Sequence, residues 1–324
     1  MKKVLGMGNA LVDIMTSLNN DELLEQLNLA KGSMQLADKE FINRVVSCTQ
    51  NLEKRQSSGG SAANTIHGLA KLGVETGFVG KIGNDNFGNF FKEDLENSGI
   101  NPKLYKSQNE SGIAIALVSP DSERTFATFL GAAIELSADD IKKETFEGFD
   151  YFHIEGYLVQ NHDLLNKAVK LAKENNLIVS IDMASFNVVE ENLEFLKSLV
   201  KNYVDIVFAN EEEAKAFTGK EPKDAVNEIS EYCDIAIVKI GKHGSLIKTK
   251  NETYKIDVIE ANSIDTTGAG DLYAAGFLYG LINNFAMQKC GNFGSILSGK
   301  VIEVIGAKMN NQKWKDIKEL IENA

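Results

Sequence analysis

The chain reads as an α/β protein built on a doubly wound, mostly parallel sheet that carries a small β-sheet lid. Three observations predict this. Short runs rich in Val, Ile and Phe alternate with amphipathic segments of roughly 10–15 residues over most of the chain, the signature of βαβ units. Several amphipathic segments open or close on glycine, as helix ends do. One stretch, Gly112 to Phe129, breaks the alternation with Ile, Val, Thr and Phe around the turn-like Ser119-Pro120-Asp121-Ser122, a hairpin signal.

The elements follow in order. Lys3 to Gly8 is a first strand. Asp21 to Leu29 is helical, with Leu23, Leu24 and Leu27 apolar, and so is Asp38 to Cys48, where Asp38 can cap and Phe41, Ile42, Val45 and Val46 share a face. A helix over Ser61 to Leu72 opens after Gly59-Gly60 and stops at Gly73. Thr76 to Ile82 is a strand and Asn86 to Ser98 a helix. After the hairpin the alternation is regular: strands at Tyr151–Ile154, Ile178–Met183, Ile206–Ala209 and Ile235–Ile240, helices at His162–Glu174, Glu190–Val200, Glu211–Thr218 and Asp224–Tyr232. Three further helices, Gly268–Ile282, Phe293–Ile305 and Gln312–Asn323, close the chain. The expected organisation is one unit over 1–324, with a lid near 11–37 and 101–131 lying over strand ends and a large α/β domain formed by the remainder, including 132–324.

Composition narrows the function. The 324 residues are 43% hydrophobic and 25% charged, with a net charge of −12. That balance suits a globular enzyme and argues against duplex DNA or an anionic membrane as partner. The longest apolar run, Tyr273 to Ile282, is too short for the roughly 20 residues a membrane span needs. The basic start breaks too early for a signal peptide. Cys48, Cys233 and Cys290 are odd in number and far apart, so a reduced, cytoplasmic protein is expected. His67, His153, His162 and His243 are scattered and read as structural.

Four segments carry candidate chemistry. In Asp265-Thr266-Thr267-Gly268-Ala269-Gly270-Asp271 the backbone N–H groups of Gly268, Ala269 and Gly270 can converge at a helix N-terminus and hold an anion. Asp271 beside them can take a proton from a bound hydroxyl; the plainer alternative is a carboxylate that only complements the helix dipole. In Ser57-Ser58-Gly59-Gly60-Ser61-Ala62-Ala63-Asn64 the paired glycines admit a ligand to the backbone and Asn64 can bond sugar hydroxyls. This segment approximates a nucleophile elbow, but Ala63 stands at the last glycine position and no buried strand precedes it. Gly8-Asn9-Ala10-Leu11-Val12-Asp13 lacks the third glycine of a dinucleotide fingerprint, whereas Asn9 and Asp13 suit a polyol. Asn210-Glu211-Glu212-Glu213 follows a strand, where acids can orient a hydrated magnesium or simply start a helix. No Walker P-loop occurs in the sequence.

Together, and in this order, the segments resemble the motifs of the ribokinase-like, or PfkB, carbohydrate kinases, with the look of the adenosine kinase branch. The resemblance spans nearly the whole chain. It implies a three-layer α/β/α fold with a β-sheet lid and transfer of the ATP γ-phosphoryl group to a primary hydroxyl. By that similarity Asp271 is the base, Gly268, Ala269 and Gly270 form the anion hole, and Arg124 is a lid arginine approaching the transferred phosphate. Asn9, Asp13, Gly59, Gly60 and Asn64 match the sugar-binding positions. Leu11, Met34, Leu36, Phe126, Leu130 and Phe186 fall where the adenosine kinase branch walls the base. Lys239, Gly241, Gly244, Asn292 and Asn210 match the nucleotide side, Glu213 the magnesium side, and Asp265 with the Thr267 carbonyl a monovalent cation such as K+. Met34 stands where animal adenosine kinases carry glutamine, and Asp182-Met183 replaces an asparagine-containing strand end. The implied acceptor is an adenosine-like ribonucleoside. The alternatives are a free furanose, as in ribokinases or fructokinases, or a catalytically inactive ligand-binding regulator on the same scaffold. A monomer or a homodimer is expected.

Overall fold

The computed structural model describes all residues except 1, 122 and 324, so Ser122 of the expected turn lies outside the described residues. In chain order the elements are β1 (Lys3–Met7), β2 (Leu11–Ser17), α1 (Glu22–Gln26), β3 (Met34–Leu36), α2 (Lys39–Cys48), β4 (Lys54–Gly59), α3 (Ser61–Lys71), β5 (Glu75–Gly83), α4 (Asn86–Asn97), β6 (Ile100–Ser107), β7 (Gly112–Val118) and β8 (Arg124–Phe129). There follow β9 (Tyr151–Glu155), α5 (His162–Glu174), β10 (Ile178–Asp182), α6 (Phe186–Glu191), α7 (Leu193–Tyr203), β11 (Ile206–Asn210), α8 (Glu211–Thr218), α9 (Pro222–Ile229), β12 (Ile235–Lys239), β13 (Ser245–Thr249), β14 (Thr253–Ile256), α10 (Ala269–Ile282), α11 (Met287–Val301) and α12 (Asn311–Glu322).

The large sheet has the order β14-β13-β12-β11-β10-β9-β1-β5-β6. It is parallel from β12 to β6 and ends in an antiparallel β12-β13-β14 edge. Its central strands β1, β9, β10, β11 and β12 are buried on both faces, which is why they read as continuous apolar runs. Alternate residues feed two cores. Tyr151, Ile206, Phe208 and Ile237 join α3, α10 and α11 on one side. Phe152, Ile154, Val207 and Val238 join α5, α7 and α9 on the other. The chain reverses direction between β1 and β9, so the crevice outside their carboxyl ends is the switch point where α/β sheets take ligands.

The lid is a five-stranded sheet of order β3-β8-β7-β2-β4. One face packs Val12, Ile14 and Ile115 against Leu24, Leu27, Ile42 and Val45 of the α1–α2 region. By the two-residue period, Leu11 and Asp13 of β2 share the other face, as do Arg124, Phe126 and Thr128 of β8.

Some expectations are corrected. Residues 101–107, expected in the lid, belong to β6 and pair in parallel with β5 as the edge of the large sheet. Pro102 is tolerated there because an edge strand has an unpaired side. Lys54–Gly59, given no element in the sequence reading, is the lid strand β4 antiparallel to β2; as a half-exposed edge it is polar and gave no apolar signal. The helix expected over Glu190–Val200 is two helices, α6 and α7, meeting at Asn192 with φ −123° and ψ 22°. The helix expected from Phe293 begins at Met287 and ends at Val301. Glycines within α11 hid its first turns, because they sit where other side chains press in: a Cβ on Gly291 would lie 2.4 Å from Ile256.

Candidate active site

Two cavities flank Asp271. One, of about 810 Å³, lies between the β11–β12 ends and α10–α11. The other, of about 860 Å³, lies between the large sheet and the lid. Ser61 and Tyr157 line both, so the cavities meet beside the Asp271 carboxylate.

The anion hole follows from the backbone. Gly268 adopts φ +77°, a conformation that strains any residue with a Cβ, and a Cβ there would also meet Ala307 at 2.6 Å. This turn starts α10 abruptly. The Ala269 N–H is spent on the Thr266 carbonyl at 3.1 Å. Among the described residues Gly268, Gly270 and Asp271, rather than Ala269, therefore offer N–H groups without an internal acceptor at the positive end of a 14-residue helix. Gly270 also leaves room for a cation, since a Cβ there would stand 3.0 Å from the Lys239 Nζ. Lys239 in turn pairs with Asp182 at 2.8 Å, both largely buried. The departure at Asp182 is thereby explained: a carboxylate at the β10 end holds a lysine beside the hole.

Asp271 accepts from Ser61 Oγ at 2.7 Å and from Asn64 Nδ2 at 2.9 Å. Burial pushes its pKa up to about 6; the two hydrogen bonds oppose this, Asp182 adds to it and Lys239 offsets it. It is a carboxylate fixed in place and poised near neutral pH, as a general base should be.

The acceptor side is held at the switch point. Glu155 ends β9 and accepts from Asn9 Nδ2 at 2.7 Å and from the Ala62 N–H at 3.2 Å. Burial raises its pKa to about 7, against its hydrogen bonds to Ala62 and Asn9. It clamps the β1–β2 turn to the start of α3. Gly60, with φ +96°, is needed there because a Cβ would lie 2.3 Å from the Asn9 carbonyl. A Cβ on Gly59 would meet the Asp13 carboxylate at 2.2 Å.

Other expected positions distribute unevenly. Leu11, Met34, Leu36, Leu130, Asn9 and Gly60 line the lid cavity. Phe186 does not: it is 41% exposed, and its neighbours Ser185, Asn187 and Val188 face the cavity instead. Phe126 is also absent from the wall, where Thr128 stands two residues on, and so are the expected sugar-side residues Asp13, Gly59 and Asn64. Gly241, Gly244, Lys239 and Asn210 line the nucleotide-side cavity, but Asn292 does not. Asn292 accepts from Gln288 at 3.3 Å, and α11 presents Ser295 and Ser298 to the cavity about one turn further on. His162, read as structural, sits at the far end of the lid cavity, stacked on Phe195.

Arg124 reaches across from the lid. Its guanidinium pairs with Asp265 and donates to Thr267 Oγ1 at 2.6 Å. Asp265 also accepts from the Thr267 N–H at 3.0 Å and the Gly306 N–H at 2.6 Å. Each Asp265 oxygen thus accepts one backbone N–H, and Arg124 is paired with the same carboxylate. Glu213 forms a capping box with Asn210: its two oxygens accept from the Asn210 N–H and Nδ2, each at 2.8 Å. Burial and Asp182 raise its pKa to about 7 against Lys239. No cluster of three or more His, Cys, Asp or Glu forms a metal cage among the described residues. Glu213 with Asn210 nonetheless offers hard oxygen donors on a cavity wall, which fits a magnesium that keeps waters and binds chiefly through substrate phosphates.

Sequence reading missed Glu155 and Tyr157. Only Glu155 left a signal, an acid at the carboxyl end of a strand.

Comparison with known proteins agrees with this geometry. Residues 33–314 match the family model described as pfkB family carbohydrate kinase. A probable sugar kinase from Rhizobium etli superposes with a TM-score of 0.87 at 30% identity, covering 98% of each chain. Adenosine kinase from Sinorhizobium meliloti superposes with a TM-score of 0.87 at 29% identity, covering 98% of this chain and 99% of its own. Among curated sequences, 5-dehydro-2-deoxygluconokinase of Clostridium perfringens is 27% identical over 299 residues, which is 87% of this chain and 88% of that protein. The chain belongs to the pfkB family of carbohydrate kinases and is a phosphotransferase with an alcohol group as acceptor.

Proposed function

We propose that the protein transfers the γ-phosphoryl group of ATP to the primary hydroxyl of an adenosine-like ribonucleoside. The observation that carries this reading is the lid cavity. At about 860 Å³ it is as large as the nucleotide-side cavity, and its walls include Leu11, Met34, Leu36, Leu130, Ile134 and Val188. Apolar walls of that extent suit a base attached to the sugar better than a sugar alone.

The residues then divide the work. Asn9, Asp13 and Asn64 hold the sugar hydroxyls. Asp271 takes the proton as the acceptor oxygen bonds to the γ-phosphorus and the bond to the β-phosphate oxygen breaks, releasing ADP. The N–H groups of Gly268, Gly270 and Asp271, with Lys239, meet the charge on the transferring group. Val258, Ile259 and Ile302 offer an apolar wall for the adenine. Magnesium, held near Glu213 and Asn210, would offset phosphate charge. Asp265 is already paired with Arg124, and no step is assigned to K+.

A free sugar is the second reading, favoured by the sugar kinases among the relatives and by the polar Asn161, Ser185 and Asn187 at the far end of the cavity. The test is ATP consumption by the purified protein with magnesium against adenosine, inosine, cytidine, ribose and fructose. Turnover with adenosine and not with ribose is expected. Turnover with ribose or fructose alone would replace the nucleoside reading with the sugar reading. Ligand binding with no turnover of any acceptor would make the protein a regulator.

A further inference from the structure

A phosphoryl group passing from one cavity to the other crosses the place where they meet, and few side chains stand there. Among the described residues, Ser61 and Tyr157 are the two that line both cavities. Ser61 is committed, since its Oγ donates to the Asp271 carboxylate at 2.7 Å. Tyr157 is not: among the described residues no group makes a hydrogen bond with its hydroxyl. The chemistry above leaves that hydroxyl unused.

The local fold puts it at the junction. β9 ends at Glu155 and runs straight into a 3-10 turn, Gly156–Gln160. The turn passes so close to the end of β10 that a Cβ on Gly156 would lie 2.3 Å from the Asp182 carbonyl oxygen. Leu158 and Val159 are buried in the core below and anchor the turn. Tyr157 packs against the same core without being enclosed by it. The acids around its hydroxyl come from four elements: Glu155 of β9, Glu213 of α8, Asp182 of β10 and Asp271 of α10. Burial first, and then these four charges, push the phenol up to about 12, so it is a neutral O–H donor at neutral pH.

We propose that Tyr157 is a catalytic residue: its hydroxyl donates a hydrogen bond to an oxygen of the transferring phosphoryl group where the two cavities meet. The proposal rests on the placement of ATP and acceptor in the two cavities proposed above, and not on the acceptor being a nucleoside. The phenol keeps its proton throughout. Asp271 takes the proton of the acceptor hydroxyl as the new oxygen–phosphorus bond forms and the bond to the β-phosphate oxygen breaks. The tyrosine hydrogen bond strengthens as negative charge gathers on the transferring group. The surroundings favour such a donor. Four carboxylates repel an incoming phosphate, and Lys239, already paired with Asp182 at 2.8 Å, offsets part of their charge.

The deciding experiment needs no acceptor. Protein labelled with 13C at the tyrosine Cζ is observed by NMR, and the Tyr157 signal is assigned by its loss in Tyr157→Phe. The signal should move on addition of magnesium with the β,γ-imido analogue of ATP. It should stay in place with MgADP, which fills the same cavity but lacks the γ-phosphate. A Tyr157 signal unmoved by the analogue, or moved as far by MgADP, overturns the proposal.

Kinetics with MgATP and adenosine supply the second readout. Tyr157→Phe keeps the ring and removes the donor. Its kcat should fall by about 10²-fold, with both KM values within about threefold of the unsubstituted protein. Its melting temperature should not change, because the hydroxyl has no protein partner to lose. An undiminished kcat with a raised acceptor KM would make Tyr157 a wall of the acceptor site and would sink the catalytic role. If adenosine is not turned over, the nucleoside reading fails; the kinetics are then run with ribose or fructose, and the NMR comparison still decides the role of Tyr157.

Discussion

Asp271 shows how much a single carboxylate depends on its neighbours. Ser61 and Asn64 orient it and hold its charge, while burial and Asp182 lift its pKa to about 6. Asp271→Asn keeps the shape and removes the proton acceptor. Its kcat should fall by about 10²–10⁴-fold with the fold intact, measured as ADP release alongside a melting curve. Full phosphotransfer by this variant would take Asp271 out of the reaction. The motif around Asp271 was legible in the sequence because a Gly-Ala-Gly turn and an acid lie together in the chain. Glu155 was not, since it reaches the same region from 116 residues before Asp271.

At the scale of elements, the lid and the catalytic loop are joined by one side chain. Arg124 leaves β8 and ties to Asp265 and Thr267, the residues that enter the anion-hole turn. Both ion-pair partners are nearly buried, at 6% and 7% side-chain exposure. Arg124→Leu would leave Asp265 charged and without its cation, a loss of about 3–5 kcal/mol for a buried pair. Hydrogen exchange at the Thr266–Gly270 amides should quicken, and kcat should fall. Unchanged exchange would show that the loop is held by the Gly306 and Thr267 N–H groups alone. Sequence reading placed Arg124 at a phosphate; its ion pair with Asp265 depends on how β8 docks, which no local pattern reports. The α6–α7 break and strand β4 were missed for a related reason. Both are local elements whose form is set by partners distant in the chain.

Across the whole molecule, the site gathers acids whose charge the fold resists. Asp13, Glu155 and Glu213 titrate near 7 and Asp271 near 6, all above the roughly 4 of an unfolded carboxylate. Between about pH 4 and 7 the native state therefore binds more protons than the unfolded chain, and stability from these groups falls as pH rises through that window. Asp85, Asp140 and Glu135 are shifted the other way, and their stabilising contribution is lost only as pH drops below the ordinary carboxylate range. The melting temperature should be higher at pH 5.5 than at pH 8, and Asp13→Asn should flatten part of that slope. Activity should run the opposite way, declining below about pH 6 as Asp271 takes up a proton. A melting temperature that rises from pH 5.5 to pH 8 would contradict the charge distribution described.

The α/β alternation, the glycine-led start of α10, the acid beside it and the family likeness were all written in short stretches of chain, because backbone geometry and helix polarity are local properties. Tertiary structure alone decided the rest. It moved residues 101–107 from the lid to the large sheet, turned Phe186 away from the cavity and tied Arg124 to Asp265. Those outcomes depend on which distant groups share a desolvated space, since burial and pairing set both the orientation and the charge of a side chain.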